Sequence, residues 1–177
     1  MKYTFYILLP FVILFNSSCT KETPTSSIKL FNTNGLIRSN IVTLQKNNAR
    51  LLKTAEYNGR KEVVQLDTVN WNKELEIITA SNLSEKSLSY KADTICRGND
   101  SIITYTAKEA KLDVRKMTLL KNNGAIRKIS IERMKENAFY YSIQEIEYVP
   151  QFYFSIYSKE KMILSDTTYY RITGVIN

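Results

Sequence analysis

Histidine is absent from the 177 residues of this chain, and cysteine occurs only twice. Without histidine there is no catalytic imidazole, no Cys/His zinc site and no Ser-His-Asp triad. The two cysteines, Cys19 and Cys96, are also too few for a thiolate metal cluster. The sequence therefore predicts no metal site, and nothing else in it indicates a cofactor.

Glycine and proline are scarce as well, with five and three residues. None of the glycines forms a phosphate-binding fingerprint, which excludes the common nucleotide-binding loops. The acidic residues that could serve acid–base chemistry are spread along the predicted sheet, and only Glu145 and Glu147 share a strand, so we interpret them as surface charge and not as the facing pair of a glycosidase. They are Asp93, Asp113, Glu145, Glu147 and Asp166. We therefore predict that the protein is not an enzyme.

The sequence contains no apolar run long enough to span a bilayer, which takes about 20 residues. Its most apolar run is the ten residues 6–15, which follow Lys2 and precede the small polar residues 16–18. A positive end, a short apolar core and small residues before the cleavage site are typical of a secretory signal peptide. We predict that residues 1–18 are removed and that the mature chain begins at Cys19.

Ser17 and Ser18, directly before Cys19, make this leader similar to the signal peptides of bacterial lipoproteins, in which that cysteine is lipidated. Asn16 stands where those signals usually carry an aliphatic residue. The resemblance implies acyl chains such as palmitate on Cys19, and through them a membrane partner. It also implies a location at the cell envelope of a Gram-negative bacterium, on the periplasmic or surface face of the outer membrane.

Two other interpretations of Cys19 stay open. It could form a disulfide with Cys96, or it could be an ordinary residue beside an ordinary cleavage site. Residues 19–29 are polar and interrupted by Pro24, so we predict a flexible tether that cannot bury enough apolar surface to fold alone. Cys96 lies at the end of a predicted strand, and we interpret it as a half-buried structural residue.

The formal net charge of +8 would attract acidic surfaces. The charges are scattered, however. Pairs such as Arg60-Lys61 and Arg127-Lys128 fall within amphipathic patterns, which is typical of solvated faces. No nucleic-acid-binding motif accompanies them, so we predict no nucleic-acid partner.

Residues 30–177 are predicted to form a single domain, whose helical part covers about residues 36–82. Apolar residues at spacings of three and four predict an amphipathic helix over about residues 36–50. Thr33 or Asn34 is the predicted cap of this helix.

The segment 51–66 has two interpretations. Asn58-Gly59 could end a longer helix, or it could form the two-residue turn of a hairpin. Val63-Val64 favours the hairpin, because β-branched residues suit strands. After this segment, Asn70 is placed to cap a short helix that begins at Trp71.

From residue 83 onward the apolar period changes to two, which is typical of strands. Turn-forming residues separate the predicted strands, and Asn123-Gly124 is the strongest of these signals. Strands this close together can be joined only by hairpins, since a parallel pair needs a crossover of about a dozen residues or more. The predicted strands are 87–95, 101–107, 112–120, 125–133, 138–148, 151–158 and 168–176.

The predicted fold class is therefore α+β, with N-terminal helices packed on a curved antiparallel β-meander over about residues 85–177. Each strand shows one aromatic or aliphatic face, as a half-buried sheet requires. On the strand that begins near residue 138, we predict that Phe139, Tyr141 and Ile143 form this face.

Nine of the twelve tyrosines lie between Tyr90 and Tyr170. One interpretation is a concave aromatic surface for a lipid tail, a glycan or a partner protein. The interpretation that we favour is sheet propensity together with core packing. A curved sheet with helices in its hollow would be similar, in architecture alone, to the half-barrel lipid carriers of the bacterial envelope.

The predicted function is a membrane-anchored lipoprotein that acts as a non-enzymatic binding or structural module at the cell envelope. The alternative is a carrier or sensor of an apolar, lipid-like ligand in a half-barrel hollow. The second alternative is an envelope enzyme that works without histidine. The predicted partners are the membrane, through the lipid on Cys19, and an envelope protein or an apolar ligand.

Overall fold

The structure is a computed structural model and describes residues 30–83 and 87–177. The predicted signal peptide, the lipidation of Cys19 and the tether all fall on residues 1–29 and lie outside the described residues. No helix within the two described stretches has the length and apolar composition needed to cross a bilayer.

The described chain forms one helix of several turns, two helices of a single turn and nine strands. In chain order these are α1 (Thr33–Lys46), β1 (Leu51–Tyr57), β2 (Arg60–Leu66), α2 (Trp71–Glu74), α3 (Glu76–Thr79), β3 (Tyr90–Arg97), β4 (Asp100–Ala107), β5 (Val114–Asn122), β6 (Ala125–Glu136), β7 (Tyr140–Val149), β8 (Tyr153–Met162) and β9 (Thr168–Ile176). A short 3-10 turn, Ser87–Ser89, precedes β3.

The predicted α+β class is wrong, because the structure is mainly β, with 56% strand and 17% helix. Much of the error comes from residues 51–66, which lie within the predicted helical part 36–82. They form the hairpin β1–β2, and β1 also pairs with β9. Asn58 and Gly59 make its turn with φ angles of 44° and 84°, the positive values that two-residue hairpin turns need. The hairpin interpretation of this segment is confirmed.

The bounds of the first helix differ from the prediction. Helix α1 starts and ends earlier than the predicted 36–50. The predicted cap, Thr33 or Asn34, is wrong, because both residues lie in the first turn of the helix. The cap is the side chain of Asn32, which accepts a hydrogen bond from the backbone N–H of Gly35 at 3.0 Å. Asn70 caps α2 as predicted and accepts from the backbone N–H of Lys73 at 3.2 Å. Helices α2 and α3 last only four residues each.

In the described chain the strands form one antiparallel sheet in the order β2-β1-β9-β8-β7-β6-β5-β4-β3. The predicted meander is confirmed for β3 to β9, where each strand pairs with the next along the chain. The hairpin β1–β2 extends this meander beyond β9. Strands β2 and β3 are consequently the two edges of the sheet.

One face of the sheet carries the helices, and we call it the helix-covered face; the opposite one is the open face. The hydroxyl of Thr33 on α1 donates to Met117 Sδ at 3.8 Å, and Lys53 on β1 pairs with Glu74 on α2 at 2.7 Å. Two cross-strand rows of buried side chains lie on this face: Leu119, Ile129, Tyr148 and Phe154, and Met117, Ile131, Ile146 and Ile156. The helices add Ile37, Leu44, Trp71 and Ile78 to the same core, and Leu75 joins them from the junction between α2 and α3.

Strand β7 faces the core with the opposite residues to those predicted. Tyr141 and Ile143 lie on the open face, and Phe139 lies in the turn before the strand. Ile146 and Tyr148 face the core, because the register sets them opposite the core residues of β6. A shift of one residue moves every side chain of a strand to the other face, so the neighbouring strand decides this orientation.

Candidate functional site

A groove of about 570 Å³ crosses the open face over strands β6 to β9. Short side chains form its floor, because the register aligns Ser130, Ser155 and Thr173 in one cross-strand row together with Glu147. We call it the open-face groove, and its side chains from this face are Ser130, Glu132, Glu145, Glu147, Tyr153, Ser155, Tyr157, Arg171 and Thr173.

Tyr153 and Tyr157 stand on either side of the groove floor. They are four residues apart on β8, which separates them by about 13 Å along the strand. The hydroxyl of Tyr153 donates a hydrogen bond to Glu147 Oε2 at 2.8 Å. The guanidinium of Arg171 lies 5.5 Å from the ring centroid of Tyr157, in a cation–π contact. Each ring therefore has a partner on a neighbouring strand that restricts its position.

Glu147 is the most constrained carboxylate of the groove. Its Oε1 atom pairs with Lys128, and its Oε2 atom accepts the hydroxyl of Tyr153. The hydrogen bonds from Lys128 and Tyr153, in that order of importance, hold the pKa of Glu147 below its ordinary value of 4.5. The same bond to Glu147 raises the pKa of the Tyr153 phenol. At neutral pH the pair is therefore an ionised acceptor and a neutral donor.

Glu145 is the carboxylate of the groove that is available to a ligand. It lies opposite Glu132 across the β6–β7 pair. Glu132 Oε1 is 3.1 Å from Lys116 Nζ. Among residues 30–83 and 87–177, by contrast, no side chain forms an ion pair or a hydrogen bond with Glu145.

The five acidic residues that the sequence singled out are divided by the structure. Glu145 and Glu147 come together in the open-face groove, two residues apart on β7. Asp93 on β3 and Asp166 in the turn before β9 lie outside it. Asp113 also lies outside and pairs with two cations, at 3.4 Å from Lys135 and 3.8 Å from Arg133.

The tyrosines between residues 90 and 170 do not form one concave surface. Tyr90, Tyr105 and Tyr148 are buried in the core. Tyr140 and Tyr170 lie on the helix-covered side of their strands. The remaining four lie on the open face: Tyr141, Tyr153, Tyr157 and Tyr169. Core packing therefore explains only part of this group of tyrosines. Of those on the open face, Tyr153 and Tyr157 line the open-face groove.

A second hollow, of about 350 Å³, lies near the β1–β2 end of the sheet. Its apolar lining comes from Ala55, Tyr57, Tyr170 and Ile172, which share the helix-covered side of β1 and β9. Charged side chains also line it: Glu56, Arg60 and Glu62.

Cys96 is a free and exposed thiol on the edge strand β3. The half-buried structural interpretation of this residue is wrong, because no strand of residues 30–83 or 87–177 pairs with the outer side of β3 and β3 is exposed from Asp93 onward. Across the described part of the chain, no three His, Cys, Asp or Glu side chains are grouped so that they could hold a metal ion.

Comparison with known proteins finds no matching family model, no matching curated protein and no matching solved structure. The geometry of the chain itself is therefore the basis for a functional proposal.

Proposed function

We propose that this protein is a lipoprotein anchored at the cell envelope through Cys19, and that its domain is a non-enzymatic binding module with the open-face groove as its ligand site. The main support is the arrangement of Tyr153 and Tyr157 around a floor of short polar side chains. A preformed depression with a few convergent polar groups is what a small-ligand site usually requires.

The chemistry of the groove fits a polyhydroxylated chain such as an oligosaccharide. The hydroxyls of Ser130, Ser155 and Thr173 both donate and accept hydrogen bonds, Glu145 accepts them and Arg171 donates them. The two tyrosine rings add apolar surface with polar tips. A sugar ring presents hydroxyls at its edge and C–H groups on its faces, so it can use both kinds of surface.

The placement of the carboxylates supports binding without hydrolysis. The three carboxylates of the groove are those of Glu132, Glu145 and Glu147, and they belong to β6 and β7. The groove residues of β8 and β9 include no acid. Glycoside hydrolysis needs two carboxyl groups that flank the scissile bond from opposite sides. Glu147 is moreover held ionised by Lys128 and Tyr153, which does not suit a proton donor.

An oligosaccharide array, followed by titration calorimetry with the processed protein, tests the ligand class. Tyr157→Ala and Glu145→Gln should each weaken the binding of the selected oligosaccharide about tenfold, which is about 1.4 kcal/mol. Tyr169→Ala is the matched control, because Tyr169 is exposed on the same face but outside the groove. Equal affinity in all three variants, or no oligosaccharide ligand at all, would contradict the proposal.

Metabolic labelling tests the anchor. Labelled palmitate should enter the wild-type protein and should not enter Cys19→Ala. Labelling of both proteins, or of neither, would refute lipidation at Cys19.

A second candidate function, a carrier of an apolar ligand, is favoured by the second hollow. Its volume of about 350 Å³ reaches the lower limit of about 300 Å³ for ligand pockets. The space beneath the helices is filled, since Ile37, Tyr148 and Phe154 are completely buried. A fluorescent fatty acid should therefore bind at the second hollow and be displaced by Ala55→Trp. Thr54→Trp on the open face should leave it bound, and equal binding to both variants would exclude this candidate.

A further inference from the structure

Four large apolar side chains protrude at one end of the sheet. Leu164 is 96% exposed, Phe139 72%, Ile163 64% and Met162 57%. Phe139 belongs to the β6–β7 turn, and the other three belong to the end of β8 and the turn that follows. The antiparallel strand order places these two turns at the same end of the molecule. We call the four residues the apolar tip.

Hydrogen bonds hold the apolar tip in shape. The backbone N–H of Ile163 donates to the carbonyl of Phe139 at 3.1 Å and so joins the two turns. In the first turn the side-chain oxygen of Asn137 accepts from the N–H groups of Phe139 and Tyr140, at 2.9 and 3.0 Å. The apolar side chains are thus presented together on a defined backbone, with no described residue covering them.

The residues next to the apolar tip are those typical of a membrane–water interface. Three tyrosines follow the tip residues along the strands, and their rings have an apolar body and a polar end. They are Tyr140, Tyr141 and Tyr169. The nearby charges balance, with Lys135, Lys159 and Lys161 against Glu136, Glu160 and Asp166.

We propose that the apolar tip inserts into the interfacial layer of a lipid bilayer and gives the domain a membrane contact of its own. Exposed apolar clusters mark either protein or membrane contacts. A stable protein interface needs about 20–30 residues from each side, far more than the tip offers, whereas a fluid bilayer accepts a small protruding group. Because the surrounding charges balance, apolar burial and not headgroup charge drives the insertion.

The predicted tether is long enough for the tip and the acyl chains to reach one membrane, a step that rests on the lipidation proposed for Cys19. Burial raises the pKa of Tyr105, and the neighbouring backbone of Phe31 opposes this rise. Tyr105 lies in the same cross-strand row as Ile146. Tyr140, beside the tip, is six residues from Ile146 along β7, or about 20 Å, and β7 is three strands away from β4, or about 14 Å, so Tyr105 and Tyr140 are about 25 Å apart in the sheet. Residues 19–29 can span about 35–40 Å when fully extended.

A depth measurement tests the proposal. The processed protein is reconstituted with phosphatidylcholine vesicles and carries an environment-sensitive fluorophore at Leu164→Cys or, as a matched control, at Asn123→Cys in the exposed turn at the other end of the sheet. Both variants also contain Cys96→Ser. Brominated acyl chains should quench the fluorophore at position 164 several-fold more than that at position 123, and added salt should not change this ratio. Equal quenching would overturn the proposal.

The same samples separate the tip from the anchor. Full membrane binding with an unquenched fluorophore at position 164 would overturn the tip and leave the anchor standing. Equally reduced binding of both labelled proteins, with the residual bound fraction still quenched at position 164, would support the tip and count against the anchor. Shielding of position 164 in native membranes but not in vesicles would mean that a protein covers the tip, and would overturn the bilayer proposal.

Discussion

Tyr148 lies completely buried in the row of core residues beneath α1, with Ile129 and Phe154 opposite it on the neighbouring strands. Burial raises the pKa of its phenol to about 12, and this effect outweighs the opposing influence of the nearby Asn40 side chain and Gln151 backbone. The folded protein therefore keeps this proton at pH values where an exposed tyrosine would lose it.

This difference makes stability depend on pH in the alkaline range. The contribution of Tyr148 is complete below its ordinary pKa of 10.0 and is lost as the pH rises towards about 12, because the unfolded chain releases the proton first. A shift of about two units corresponds to about 2–3 kcal/mol. We expect Tyr148→Phe to lose less free energy of unfolding between about pH 9 and 11 than the wild type, measured with urea. Tyr169→Phe is the exposed control, and equal losses in both variants would contradict this account.

The lowered pKa of Glu147 predicts that stability also depends on pH in the acidic range, where it is lost as the pH falls. Its pKa is lowered in the folded state, so the stabilisation from Lys128 and Tyr153 is present above the ordinary value of 4.5 and disappears as the pH falls through the lowered one. Glu147→Gln should therefore be less stable than the wild type at neutral pH and equally stable in strong acid. The difference should be small, because the Glu147 side chain is 42% exposed.

Urea unfolding at several pH values measures this difference. Glu145→Gln is its control, because it removes a groove carboxylate that has no partner among the described side chains. A constant difference between wild type and Glu147→Gln at all pH values would show that the hydrogen bonds to Glu147 do not depend on its charge.

At the scale of the elements, Gly174 allows β9 to pass close to the core side chains of its neighbours. A Cβ atom at this position would lie 2.5 Å from Phe154 Cζ and 2.8 Å from Leu51 Cδ1. Both of these side chains are completely buried and have little room to move. Because Gly174 has no side chain, β1 can pair with β9 while Leu51 and Phe154 fill the core on either side of it.

We therefore expect Gly174→Ala to lower the free energy of unfolding by about 1–3 kcal/mol through overpacking. Combined with Phe154→Leu, which makes space at the contact, it should cost less than the sum of the two single changes. Thr173→Ala on the open face is the neighbouring control in the same urea measurements. Strict additivity would show that the contact with Phe154 is not the cause.

At the scale of the whole molecule, the helices and the sheet share one core. Helices α2 and α3 are too short to be stable alone, since an isolated helix needs about 12–15 residues even to be marginal. Trp71, the single tryptophan, lies at the start of α2 and is 2% exposed. Its fluorescence therefore reports whether the helices remain packed on the sheet.

This shared core predicts a single cooperative transition. The fluorescence of Trp71 and the far-ultraviolet circular dichroism of the sheet should give the same urea midpoint. A fluorescence change at clearly lower urea would mean that the helices leave the sheet before it unfolds.

The two proposed contacts are compatible in one orientation of the molecule. Tyr157 in the open-face groove is five residues from Met162 in the apolar tip, which is about 16 Å along β8. With the tip in the interfacial layer, the groove would stand clear of the acyl chains. It could then bind a polar ligand while the domain remains attached to the membrane.

Parts of the candidate site were visible in the sequence, as a Tyr-x-Ser-x-Tyr pattern over residues 153–157 and two glutamates at 145 and 147. Alternation predicts that each set shares one face of its strand. That the two sets meet, together with Arg171 and Ser130, depends on the register of four strands. This register could not be read from any of the strands separately.

Local sequence was enough to place the strands from residue 90 to 176 and the turns between them, because alternation and Asn-Gly turns act over a few neighbouring residues. Local sequence was not enough to predict the class of the fold, or to predict which side of β7 faces the core. Those depended on contacts between distant residues, such as the pairing of Leu51 with Ile176, which brings the first hairpin into the sheet. A short segment with mixed helix and strand signals adopts the structure that buries its apolar side chains best, and only the assembled sheet offers that surface.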